Sequence, residues 1–354
     1  MNGISLIGRI DQNASILRER LSQLGEQVST GRKGTSYAAL DTDAPKSMDL
    51  RAEMTRRGAY QSAISQTLSK IQVTQDVLDR IGAIAEKFAA GTAKLMGVTK
   101  AEEIQIQAGQ AKAALKEVAN LLNEKFNGDF LFGGSDAHQP PIPDPDNILT
   151  SGMAAGIATE VGLLTSANAA TVLANTKALA QSNVAGVTPF SDFLSTGPGA
   201  TEGRRNLLSS DGARMDYGLF ANRNGAVVSS GETTGSWARD LMRGLASIAA
   251  LTPGQSQLGE GYTEFVTTVQ QGLKSAVNAL ALERGSLGVV EESIQSKYDL
   301  HERVTLSLTL QVSDVEEVDM AKTITSFQTT QTQLEASYRA MSIAQQLSLT
   351  RFLS

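Results

Sequence analysis

Residues 7–28 read IGRIDQNASILRERLSQLGEQV, and their spacing decides the fold class. Ile7, Ile10, Ala14, Leu17, Leu21, Leu24 and Val28 are separated by 3, 4, 3, 4, 3 and 4 residues, with Arg, Glu, Gln and Ser among the residues between. An α-helix turns once in about 3.6 residues, so these side chains form one seam, the a and d positions of a heptad. A seam is half of an interface and requires a second helix to cover it. The helix is expected to end within STGRKG, residues 29–34, where Gly31 and Gly34 suit a C-terminal cap.

Working outward, a second helix is expected from LDTDAPKSMDL onward, with Asp43 as N-cap and Pro45 in the first turn. Helical spacing runs through Leu50, Met54, Ile64, Leu68, Ile71, Leu78, Ile81, Ala85 and Phe88 without a proline. A helix over 45–90 would be roughly 70 Å long at ~1.5 Å per residue, a length typical of coiled coils and long bundles. Ile104, Ala108, Ala111, Leu115, Val118 and Leu122 predict a third helix. Helical pattern returns over 236–251, 260–283 and 286–310, the last with Leu287, Val290, Ile294, Val304 and Leu308 in heptad spacing. The final helix, about 315–353, places Met320, Ile324, Phe327, Gln331, Leu334, Tyr338, Met341, Gln345, Ser348 and Phe352 at alternating steps of 4 and 3.

Both chain ends are therefore seam-bearing helices. Residues 1–33 carry five basic and three acidic groups, and residues 313–354 three basic and five acidic, a weak bias towards pairing of the two ends. A hairpin of two such helices buries one face of each. The assembly interface is accordingly read as Ile7, Ile10, Leu17, Leu21, Leu24, Val28, Ile324, Phe327, Leu334, Tyr338, Met341 and Phe352.

Between the helical arms the character changes. NGDFLFGGSDA (127–137) follows the third helix: Asn127-Gly128 signals a turn, Asp129 to Phe132 an extended piece, and Gly133-Gly134 a second turn. Phe130 and Phe132 alternate with Leu131, so both rings are expected to face the helices. HQPPIPDPDN then holds four of the eight prolines, and Ala, Ser, Thr and Gly dominate up to about 235. NVAGVTPF, RMDYGLF and GAVVSS read as strands.

The expected architecture is mainly α: a shaft of long antiparallel, coiled-coil helices formed by both chain ends, with an inserted mixed α/β or β-rich outer domain. The segments are 1–44 with 313–354 as the terminal coiled coil, 45–137 with 236–312 as a helical shaft, and 138–235 as the insertion.

Composition excludes several chemistries. The chain has 354 residues, a net charge of −6 and no cysteine. Thiolate nucleophiles, disulfides and thiolate metal sites are excluded, and nucleic acid is a poor partner. Two histidines, His138 and His301, are too few and too far apart for a histidine metal cluster, and His301 on a helical pattern reads as a structural or surface histidine. Asp41 and Asp43 read as helix-capping carboxylates rather than a catalytic pair. STGPGATEGRR (195–205) lacks the Lys-Ser/Thr of a phosphate loop, and Arg204-Arg205 reads as a solvated pair. No G-x-S-x-G elbow occurs. No catalytic, cofactor or metal residues are assigned. No apolar run reaches bilayer length, and the start MNGISLIGRIDQ has no basic-then-apolar signal peptide pattern.

LGEQVSTGRKGTSYAALDTDAPKSMDL in the N-terminal arm, with LERGSLGVVEESIQ and SDVEEVDMAKTITSFQTTQTQLEASYRAMSIAQQLSLTRFL in the C-terminal arm, resembles the bacterial flagellin superfamily. The likeness covers about 1–135 and 236–354, and several motifs agree in order and spacing. Asn127, Gly128, Phe130, Phe132, Gly133 and Gly134 resemble a motif of those superfamily members that sit at the boundary of hook and filament. The resemblance implies a structural flagellar subunit joining hook to filament through its terminal helices, with no enzymatic activity. It implies an extracellular place in the flagellum, reached by type III export without a cleavable signal. The implied partners are further copies, other axial proteins (the hook-side junction protein and flagellin) and an export chaperone, with no nucleic acid and no membrane insertion. Two alternatives remain open: a filament-forming flagellin, and a cell-surface homologue binding a polysaccharide. The second is disfavoured by the few aromatics of 138–235, Phe190, Phe193, Tyr217 and Phe220.

Overall fold

The computed structural model describes the backbone of residues 2–96 and 101–352 and the side chains of residues 8–96 and 101–343. Its main elements are α1 (Asn2–Thr30), α2 (Ala44–Leu95), α3 (Ala101–Leu122), the hairpin β1 (Lys125–Phe126) and β2 (Asp129–Phe130), α4 (Gly152–Gly162), α5 (Ala169–Gln181), α6 (Asp192–Ser195), the hairpin β3 (Asn206–Ser210) and β4 (Ala213–Asp216), α7 (Trp237–Ala249), α8 (Glu260–Glu316) and α9 (Met320–Phe352). The fold is mainly α, with two small two-stranded antiparallel sheets.

The expected break near 283–286 is absent: α8 runs without interruption for 57 residues. A lone glycine inside a helix costs only about 1 kcal/mol. Packing on either side of Gly285 offsets that, since Glu283 and Leu287 are buried and Arg284 pairs with Asp79. Every seventh side chain from there is buried as well, through Leu287, Ile294, His301, Leu308 and Val315. α2 likewise continues past residue 90, to Leu95.

The chain divides into two compact units, residues 1–61 with 300–354 and residues 62–299; α2 and α8 contribute to both. In the first unit α1 and α9 run antiparallel: the Val318 amide donates to Gly31 O, and the Phe327 ring lies 3.5 Å from where a Cβ on Gly25 would stand. In the second unit a continuous core joins α2 from Ile64 onward, α3, α8 and Phe132 to residues of 138–235, including Met153, Ile157, Phe190 and Phe220. α7 lies at its centre, with all 13 residues buried.

Residues 138–235 are mostly helix and loop rather than strand. NVAGVTPF and GAVVSS form no strand, and of RMDYGLF only Arg214 to Asp216 lie in β4, with Phe220 in an isolated bridge to Gly133. The apolar residues that matter here, Met153, Ile157 and Val161, recur at steps of 4 on α4 and face the core. Short apolar runs between turns carry too few residues to separate period 2 from period 3.6.

Candidate functional site

The first candidate region is the terminal helix pair. On α1, Ala14 is buried and Ile10, Leu17, Leu21, Leu24 and Val28 are half-buried, along the line the spacing predicts. On α9 the buried line is Thr323, Thr330 and Leu334, with Phe327 and Met341 half-buried. The predicted seam residues Ile324 and Tyr338 fall beside this line and are 40% and 44% exposed; Met320, next to them, is 39% exposed. At 100° per residue, Met320 and Tyr338 lie about 50° and Ile324 about 90° around the helix from the buried line. The side chains of Ile7 and Phe352 lie outside the described residues.

Where α1 ends and α9 begins, two loops clasp each other. Gly31 takes φ +72, the left-handed conformation glycine adopts without strain. Arg32 and Glu317 then form an antiparallel bridge, and the Lys33 amide donates to Glu316 O at 2.7 Å. Glu316 is the centre of the clasp. Its carboxylate accepts from Ser47 Oγ (2.6 Å), Arg51 Nε (2.6 Å) and Arg51 Nη2 (2.5 Å). The bonds from Arg51, chiefly, hold its carboxyl well below the usual range, at about 2. Asp319 caps α9, accepting from the Lys322 amide at 3.1 Å. Asp43 directly precedes α2 and binds Lys33 at 3.1 Å. Asp41 instead lies in a short 3₁₀ turn over Tyr37–Asp43, at φ 47.

His301 belongs to the first unit and is fully buried, stacked on Tyr60 with ring centroids 5.5 Å apart. Its Nδ1 lies 3.2 Å from Arg57 Nη1. Arginine only donates, so Nδ1 is the acceptor and the proton sits on Nε2. The helical pattern leaves a structural or a surface place open, and full burial decides for the structural one.

The second candidate region is the 127–137 motif, in the second unit. Asn127 and Gly128 both take positive φ, 50 and 88, between the paired residues Phe126 and Asp129. This is the two-residue hairpin turn that Asn-Gly favours. Phe130, Leu131, Phe132, Gly133 and Gly134 are all buried, so Leu131 is not turned to solvent between the rings. The segment ties three places together. The Leu131 amide donates to Glu124 O, the Ala221 amide donates to Phe132 O, and the Ser135 amide and hydroxyl donate to the Glu202 carboxylate at 2.7 and 2.6 Å. Gly134 combines φ +64 with a position where a Cβ would meet Glu202 and Phe220, so no other residue fits. Arg205 and Lys70 lie 3.5 and 3.8 Å from Asp129, and Arg204 Nε donates to Gly218 O at 2.8 Å. The Arg204-Arg205 pair is thus tied into the structure rather than solvated.

Residues 269–353 match the family model of the bacterial flagellin C-terminal helical region. The C-terminal arm is thus similar to the flagellin C-terminal region. Flagellar hook-associated protein 3 of Escherichia coli is 21% identical over 327 residues, covering 92% of this chain and 90% of the relative. A solved structure described as a flagellar hook-associated protein of Vibrio parahaemolyticus shares the fold, with a TM-score of 0.50 and 12% identity over 77% of this chain and 96% of that one. The matched residues cover α8 from Val269 onward, the clasp at Glu316 and α9. By their names both relatives are flagellar hook-associated proteins. Among the described residues no group of three or more His, Asp or Glu side chains is placed to hold a metal, and no helix is long and apolar enough to cross a membrane.

Seam periodicity does not mark Glu316, Arg51 or Ser47, because their contacts join residues 265 and 269 positions apart. The acidic run SDVEEVD, at the start of the C-terminal motif, is a signal for Glu316 alone.

Proposed function

We propose that this chain is a structural subunit of the bacterial flagellum, placed at the junction of hook and filament, and that it joins its neighbours through α1 and α9. The observation that carries the reading is the likeness to hook-associated protein 3 along nearly the whole of both chains. The exposed flank of α9 supports the mechanism. Met320, Ile324 and Tyr338 offer an apolar strip beside a helix face already used within the chain. Copies of one subunit in a tube meet through unlike surfaces, so a second face on the same helix is what such packing needs. The buried DFLFGG hairpin belongs to the same reading: it fixes where the chain leaves α3.

The neighbours on this reading are the hook-side junction protein and flagellin. Delivery is by type III export with a dedicated chaperone, which gives the subunit its extracellular place. Immunogold electron microscopy of intact flagella, with antibody to surface peptides of 138–235, tests it. A single band between hook and filament is the expected result. Label along the filament would make the chain a filament flagellin, and label confined to the cell envelope would favour a surface-binding homologue.

A further inference from the structure

We infer that a recess at the start of α7, in the second unit, binds a small oxyanion, a carboxylate or phosphate group. The recess has a volume of about 300 Å³. Arg223, Arg239, Gln181, Asn183 and Ser236 are among its lining residues, and none of the lining residues is acidic.

Arg239 carries the inference. It is 6% exposed, yet its hydrogen-bond partners are all neutral oxygens, and its one further contact to a charge-stabilising group is the Phe190 ring, whose centroid is 5.1 Å from the guanidinium carbon. Nε donates to Asn222 O (2.8 Å), Nη1 to Ala180 O (2.7 Å) and Ser182 O (3.2 Å), and Nη2 to Asn183 Oδ1 (2.5 Å). Guanidinium has five N–H donors, so one on Nη2 is left over. Among the described residues Arg239 makes no ion pair. Burial of a charge without a counter-ion is costly, and natural folds rarely leave it so.

The same helix holds an internal control. Arg243, one turn further on and 5% exposed, has Glu232 at 2.6 Å. The neighbouring Asp240 does not serve Arg239, since it accepts from the Thr233 hydroxyl and the Thr234 amide. The carbonyls of Ala180 and Ser182 lie at the C-terminal end of α5 and supply a partial negative charge of about half a unit. Arg223 adds a second positive charge on the same recess. Its guanidinium lies 3.6 Å from the Phe220 ring centroid, Nη2 donates to the carbonyls of Glu202 and Gly199, and Nε has no partner. The Glu202 carboxylate is engaged by Ser135. Arg223 still has the Glu202 carboxylate as a nearby counter-charge, whereas Arg239 has only the half unit of the α5 end, so two guanidinium groups line one opening with less than two compensating charges. Burial alone lowers the pKa of Arg239, to about 10, with no acid acting to raise it. It remains charged at neutral pH.

An oxyanion supplies what the site lacks: negative charge, and acceptors for planar donor forks. The volume suits a group no larger than a single small ring. The oxyanion can come from free phosphate or from the carboxylate of an organic acid.

The test uses the full chain in phosphate-free, low-salt buffer, with calorimetric titration and thermal unfolding in inorganic phosphate, in citrate, and in chloride at matched ionic strength. Saturable binding of phosphate, of citrate or of both is expected, with Tm raised by roughly 3–6 °C at ten times Kd. Arg223→Gln should weaken binding about tenfold or more with unchanged circular dichroism. Arg239→Lys keeps the charge but not the fork and should weaken it as well; should that variant unfold, Arg223→Gln decides. Binding of phosphate alone or citrate alone supports the site and identifies the source of the anion. Absence of saturation up to about 50 mM of either anion would overturn the inference. So would undiminished binding by Arg223→Gln, or loss of binding on Lys70→Gln instead, which would move the anion to the basic recess at Asp129.

Discussion

Glu316 shows how one side chain can hold two distant stretches of sequence. Its carboxylate takes three hydrogen bonds from Ser47 and Arg51, and its own carbonyl takes a fourth from the Lys33 amide. Its folded pKa of about 2 lies below the ordinary 4.5, so the carboxylate form is the one the fold prefers. The stabilisation is therefore complete above about pH 4.5 and is lost as pH falls from there towards about 2. Glu316→Gln should cost roughly 1–2 kcal/mol at pH 7, between the values for exposed and buried pairs. The variant should also show a flatter loss of stability between about pH 4.5 and pH 2, measured by urea unfolding at a series of pH values. An unchanged acid profile would mean that Arg51 is equally well solvated without its partner. At this scale the sequence is legible only where chemistry is local. Asn127-Gly128 announces its turn, whereas nothing near Glu316 announces Arg51.

At the scale of elements, helices were legible wherever apolar spacing was long, as on α1, α2 and α3. They became ambiguous where apolar identity and burial part company. α9 is the instructive case: its buried line runs through Thr323 and Thr330, while Ile324 and Tyr338 stand beside it in solvent. Threonine hydroxyls can bond back to the preceding turn, as Thr323 does to Asp319 O at 2.8 Å, so polar lettering conceals a buried face. The pattern in the sequence therefore sums two faces, one used within the chain and one left exposed. Ile324→Lys with Tyr338→Lys should leave the monomer's thermal unfolding unchanged within about 0.5 kcal/mol, as exposed substitutions usually do, and should abolish incorporation into filaments seeded by native flagella. Leu334→Lys, in contrast, should destabilise the terminal pair by about 2–4 kcal/mol. Normal assembly by the double variant would remove the exposed flank from the mechanism. The strands expected in 138–235 failed for a different reason. Runs of three or four apolar residues between turns do not fix a period, and the core that decides their form comes from α3 and α7.

Across the whole molecule, apolar burial is very unevenly shared between the two units. Ala14, Leu40, Leu308, Val315 and Leu334 are the buried apolar side chains among the described residues of the first unit. The second unit owns the continuous core, with α7 buried on every face. Local opening free energy follows buried contact, so backbone amides in the two units should exchange with solvent on different scales. In the isolated monomer, hydrogen exchange read by mass spectrometry should find α7 the slowest segment. α1 and α9 should be the fastest among the long helices, opening at lower denaturant than α7. The ordering carries functional weight, because a terminal pair with so little core of its own gains the most from a neighbour that covers its exposed flank. Exchange measured on the same chain within native flagella should therefore slow in α1 and α9 far more than in α7, where protection is already set by the monomer. Equal protection of α9 and α7 in the monomer would show the terminal pair to be self-sufficient, and assembly would then have to draw its stabilisation from surfaces of the second unit.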